Sequence, residues 1–119
     1  MNKVAWLGSS RDDLLEFPEK VRKDVGFAIY VAETGGKHPK SKPLKGFQGA
    51  GVLEIVESHD GNAYRAVYTV RFEGWLYVLH CFQKKSRTGI STPQSDMELI
   101  RRRLREAQEQ HKQWKNERE

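Results

Sequence analysis

Apolar positions recur along this chain at two different periods, and the change of period marks out its elements. Leu14, Phe17, Val21, Val25, Ala28 and Ile29 follow helical spacing as far as Gly35-Gly36. Pro18 lies inside that stretch, and proline fits best at a helix start, so it reads as one long amphipathic helix or two joined near Pro18. Ahead of it, Val4-Ala-Trp-Leu7 reads as a short strand and Gly8-Ser-Ser10 as a turn that supplies an N-cap. Asp12 and Asp13 then fall in the first helical turn, where negative charge suits the dipole.

Past Gly51 the pattern turns to strands. Val52-Leu-Glu-Ile-Val-Glu57, residues 64–72 and residues 75–83 read as three strands, linked by His59-Asp-Gly-Asn62 and by Glu73-Gly74, an antiparallel meander. Residues 35–51 carry six glycines or prolines before Gly51 and read as a loop. After Ser91-Thr-Pro93 a final helix is expected, with Ser95 as its cap and Glu98 as the capping-box partner. Its stripe is Ile100, Leu104, Ala107, His111 and Trp114, and the tail from Lys115 is expected to fray. Together these elements predict one α+β domain over residues 1–119. An N-terminal helical segment covers one face of an antiparallel sheet of about four strands, and the C-terminal helix docks at the side of the sheet.

Composition narrows the class. The chain has 119 residues, enough for one core and too few for two. Lysine and arginine number 21 against 16 acids, a net charge of +5, which favours an anionic partner. The distribution is sharper than the total: Lys37, Lys40, Lys42 and Lys45 lie together with His38, and no acid occurs over residues 37–49. Lys84, Lys85 and Arg87 form a second acid-free group. The single cysteine, Cys81, excludes an internal disulfide and any multi-cysteine zinc site, and reads as a buried structural thiol. The N-terminal apolar stretch is too short for a signal peptide and no run approaches a membrane span, so a cytoplasmic protein is expected.

Alternation on the middle strand of the meander puts Arg65, Val67, Thr69 and Arg71 on one face and Tyr64, Ala66, Tyr68, Val70 and Phe72 on the other, expected to be the core face. Arg65 then points away from the main core. There its planar fork is suited to a phosphate, or to a salt bridge with a helix carboxylate, Glu54 or Glu57. Lys84 and Lys85 end the last strand on opposite faces, so at most one shares the face of Arg65. His80 lies in an apolar strand, where a satisfied core role competes with acid–base chemistry. His38 in the basic loop is a weaker candidate of the same kind. His59 sits in a predicted turn and His111 on the last helix, and no histidine pair has a metal-ligand spacing. Gly46-Phe-Gln-Gly-Ala-Gly51 precedes a strand instead of joining a strand to a helix, so it reads as a flexible loop and not as a dinucleotide site. Arg101, Arg102, Arg103 and Arg105 read as a solvated helix face, or as a contact to RNA.

Five short runs, Trp6-Leu-Gly-Ser-Ser10, Lys42-Pro-Leu-Lys-Gly46, Gly51-Val-Leu-Glu-Ile55, Tyr64-Arg-Ala-Val-Tyr68 and Phe82-Gln-Lys-Lys-Ser86, occur in this order. In their order and spacing they resemble the RelE/ParE toxin superfamily, and within it the phage-derived HigB-like branch, over about residues 4–107. The resemblance implies a RelE-like domain and a type II toxin that acts as a ribosome-dependent mRNA endonuclease. It implies Lys42 and Lys45 as loop lysines, Arg65 as the strand arginine, and Lys84 and Lys85 as the basic motif of the final strand. On that reading Arg65, Lys84, Lys85, Lys45 and His80 are catalytic, and Lys40, Lys42, Lys45, Arg71 and Arg87 bind RNA phosphate, with no metal or cofactor. The pattern departs from the best-known members because no tyrosine follows Lys84-Lys85, and His80 is the residue available to stand in as acid or base.

The expected partners are mRNA on the ribosome and a cognate antitoxin of the helix-turn-helix type. Two other functions remain open: a ParE-type toxin that inhibits gyrase without cutting RNA, and a non-toxic phage-derived nucleic-acid-binding protein.

Overall fold

The structure, a computed structural model, describes residues 1–47, 49–84 and 92–118. In chain order the elements are β1 (Lys3–Trp6), α1 (Ser10–Leu15), α2 (Glu19–Glu33), β2 (Lys42–Pro43), β3 (Val52–His59), β4 (Asn62–Thr69), β5 (Trp75–Lys84) and α3 (Gln94–Arg118). The fold is α+β, with a five-stranded sheet in the order β1-β5-β4-β3-β2. It is a mixed sheet: β1 runs parallel to β5, and the other pairs are antiparallel. The expected four antiparallel strands thus become five. β2 lies inside the segment read as a loop, because two edge residues, one of them a proline, carry no alternation to detect.

The helical segment divides where proline demands it. α1 stops at Leu15, Pro18 takes an extended backbone as the cap of α2, and Asp12 and Asp13 do occupy the first turn of α1. The hairpin between β3 and β4 is the two-residue turn Asp60-Gly61, both with positive φ, as the twist of paired strands requires. α3 starts one residue before the expected cap, so Ser95 lies within its first turn, and the helix stays regular through Arg118. The tail expected to fray from Lys115 is therefore helical to that point.

The sheet buries both of its faces. α1 and α2 cover one, where Val21, Val25 and Ile29 meet Ile55, Ala66, Tyr68 and Val78. On the other face Leu44, Val52, Val67, Tyr77 and Leu79 meet Ile100, Leu104 and Ala107 of α3. α3 thus lies across the second face, not at the side of the sheet. Arg65 consequently faces a second core instead of solvent, and its side chain is 6% exposed. Phe72, expected on the face of Tyr68, packs with this second core, because β4 ends at Thr69 and its alternation no longer applies. Farther along α3, Phe72, Tyr77 and His111 pack edge-to-face, Trp114 lies tilted against His111, and the Tyr77 hydroxyl lies 3.1 Å from His111 Nδ1.

Candidate functional site

Cross-strand partners share a face, so the register decides which of the basic residues belong together. Lys42 pairs with Glu54, Arg65 with Phe82, and Ala63 with Lys84. Alternation then puts Lys42, Glu54, Arg65, Phe82 and Lys84 on the face that α3 covers. Lys42 is exposed and Lys84 half-buried. Beside them, Leu44, Lys45, Gly46, Glu54, Thr92, Gln94 and Met97 enclose a cleft of about 340 Å³ against the first turns of α3. The exposed Lys45 and the first turn of α3 border this cleft, and the start of a long helix carries positive partial charge.

Arg65 does not line this cleft, although its partner Glu54 does. Its guanidinium nitrogen lies 2.8 Å from Glu54 Oε1, and the two side chains are only 6% and 7% exposed. Of the roles open to Arg65, the ion pair with Glu54 is the one the folded chain adopts. Desolvating two charges is costly, and only close geometry between them offsets that cost.

His80 reaches the same face through an irregularity. Val67 pairs with His80 but the next residue, Tyr68, pairs with Val78, so Leu79 is an extra residue in β5. This bulge turns His80 toward α3, where regular alternation from Val78 would have aimed it at α2. The ring stacks on Phe82 at 4.4 Å between centroids, and Nε2 lies 2.7 Å from Asp96 Oδ1. The Arg103 guanidinium lies 3.5 Å from Nδ1. Burial pushes the His80 pKa below its ordinary value, against the opposing pull of Asp96. A neutral ring that donates from Nε2 and accepts at Nδ1 satisfies both neighbours. To exchange a proton with a substrate, the ring must first leave Asp96.

Arg103 is the residue that sequence reasoning missed. Read as part of a solvated run, it is buried, donates to the Leu79 carbonyl at 2.9 Å and reaches Ser9 Oγ at 3.4 Å. Its guanidinium also packs on Gly8, where an added Cβ would lie 2.5 Å from it. The signal was available: position 103 is three beyond Ile100 and four before Ala107, on the buried stripe. Arg101 keeps a more exposed place, 5.2 Å from the Phe47 ring centroid.

The remaining candidates disperse. Lys40 lies 3.3 Å from Glu57, whose partner Tyr64 belongs to the α2 face. His38 stays on that side too, edge-on to Phe27. Arg71 donates to the Gly49 carbonyl at 2.6 Å and braces the loop ahead of β3. Lys85 and Arg87 lie outside the described residues. Cys81 is buried on the α2 face, and desolvation pushes its thiol up to about 12. Among the described residues, no group of three or more His, Cys, Asp or Glu is placed to hold a metal. No helix among them is long and apolar enough to cross a membrane.

A family model described as phage-derived protein Gp49-like (DUF891) matches residues 12–105, from α1 through the Arg103 turn of α3. The chain belongs to the Gp49-like family. That family sits within the RelE toxin-like group. No individually curated protein matches the chain. The match to the Gp49-like family spans Lys42, Lys45, Glu54, Arg65, His80 and Lys84, so the cleft and its basic rim lie within the family domain.

Proposed function

We propose that this Gp49-like protein is the toxin of a two-gene toxin–antitoxin pair, of the HigB-like branch, and that it cuts mRNA on the ribosome. The observation that carries the reading is the register: Lys42, Arg65 and Lys84 come from three strands to one face, beside the cleft at the start of α3. In sequence, Lys85 and Arg87 extend the same basic end. Lys45 and Lys84 hold the scissile phosphate, Arg65 supports that face from its buried pair with Glu54, and the exposed loop lysines hold the neighbouring phosphates. The 2′-oxygen of the ribose attacks phosphorus and loses its proton to a base. The bond to the 5′-oxygen breaks, and that oxygen takes a proton. The cations stabilise the negative charge that builds on phosphorus. His80 lies on this face as the candidate donor and must give up its bond to Asp96 to act. The protein that holds the toxin inactive is a helix-turn-helix antitoxin from the neighbouring gene.

The test is controlled expression with and without that neighbour, followed by mapping of transcript 5′ ends. New ends within translated codons, suppressed by the neighbour and lost in Lys45→Ala with Lys84→Ala, are expected. Full toxicity of that double variant would remove the proposed site. Growth arrest with intact transcripts and stalled replication would assign the protein to the gyrase-inhibiting class.

A further inference from the structure

The outer surface of α2 carries a feature that the fold does not use. Phe27 and Tyr30 are 56% and 51% exposed, one helical turn apart. Their rings lie 6.5 Å apart between centroids and within 27° of parallel. Next to Phe27, an added Cβ at Gly26 would meet nothing within 4 Å, so the surface there is open. Lys20 and Lys23 continue the same exposed stripe toward the start of the helix. Two near-parallel rings held on a rigid helix cost apolar surface in water and contribute nothing to either core.

The basic loop is attached to this platform. His38 packs edge-on to Phe27 at 5.8 Å. Its Nδ1 accepts from the Lys40 amide, and its carbonyl accepts from the Ser41 amide. Ser41 is anchored in turn by the Tyr68 hydroxyl. From Lys37 to Lys45 the chain passes from the α2 side of the sheet, where Lys40 meets Glu57, around the β2 edge to the α3 side, where Lys45 borders the cleft. The segment itself carries four lysines and no acid, and Glu57 of β3 offsets one of them, Lys40.

We propose that Phe27 and Tyr30 form a base-stacking platform for single-stranded RNA, joined to the cleft by the Lys37–Lys45 segment, which tracks the RNA backbone around the sheet edge. Aromatic faces accept any base, and a row of lysines neutralises successive phosphates, so the pair suits an unpaired strand without sequence preference. The charge of the loop favours RNA over an apolar protein segment as the occupant. This inference rests on the RNA reading of the protein and extends its contact surface to the opposite face of the sheet.

The probe is a fluorescent 2′-O-methyl oligoadenylate of about 12 nucleotides, whose blocked 2′-oxygens prevent cleavage, alongside an abasic strand of the same backbone. Wild type is expected to bind the adenine strand about ten-fold or more tightly than the abasic one. Phe27→Ala with Tyr30→Ala is expected to bring the adenine strand down to the abasic level, with no change in the salt dependence. Lys37→Gln with Lys40→Gln is expected to lower the salt slope for both strands. Both aromatic side chains are exposed, and unchanged circular dichroism and melting will show that the variant is folded. Equal affinity of wild type and the aromatic variant for the adenine strand overturns the platform. If that variant instead loses the genomic neighbour on co-purification, the face belongs to a protein partner. Should these variants leave binding unchanged while Lys45→Ala with Lys84→Ala abolishes transcript cleavage, the platform fails and the proposed function stands.

Discussion

Glu54→Ala removes the carboxylate from a guanidinium that stays buried beneath α3. The Arg65–Glu54 contact is 2.8 Å, and neither side chain is more than 7% exposed, so water replaces little of the lost interaction. Breaking such a pair from one side costs about 3–5 kcal/mol, a large share of the 5–15 kcal/mol that stabilises an ordinary domain. For a chain of this length about 4 °C of melting temperature accompanies each kcal/mol, so a drop of about 12–20 °C is expected. Replacing both residues, Glu54→Met with Arg65→Met, removes both desolvation penalties and should melt near wild type or above it. Circular dichroism melts and urea titrations compare the three proteins. Melting of Glu54→Ala within about 3 °C of wild type would show that the pair is solvated or replaceable, and the argument from burial would fail. The double variant also separates two roles of Arg65. Under the proposed function, a stable double variant without transcript cleavage would assign the guanidinium to phosphate, whereas a stable and toxic one would leave it a structural partner of Glu54.

Acidification should weaken the fold through two histidines. Burial lowers the pKa of His80 and of His111 below the ordinary 6.5, so the unfolded chain takes up their protons first as pH falls. Their contribution is complete above about 6.5 and declines below it. Urea midpoints at about pH 7.5 and about pH 5.5 should differ less in His80→Gln and His111→Gln than in wild type, and equal differences in all three would refute the assignment. Cys81, buried and with its thiol pushed up to about 12, should resist an aromatic disulfide reagent in the native state and react on denaturation. Stoichiometric labelling of the native protein within minutes would contradict that environment.

Local signals carried what is local in the fold. Helical spacing from Leu14 to Ile29, the break at Pro18 and the Asp60-Gly61 hairpin are set within a few residues, and the structure has all three. The stripe on α3 was legible for the same reason, since Ile100, Leu104, Ala107 and His111 are buried on one side of one helix. The two-residue β2 was not legible, because its strand character comes entirely from pairing with Leu53 and Glu54.

The candidate site divides along the same line. Runs of lysine and the position of Arg65 could be read directly, because charge and residue type are properties of the chain alone. Which of them meet was a tertiary decision. Register brought Lys42, Arg65 and Lys84 to one face, while Glu57 drew Lys40 to the other and the Gly49 carbonyl held Arg71 in a loop. The bulge at Leu79 turned His80 onto Asp96, and the docking of α3 buried Arg103 in a run that composition describes as solvated. A side chain's partners depend on residues remote in sequence, and periodicity says nothing about which of two buried faces a strand will offer them.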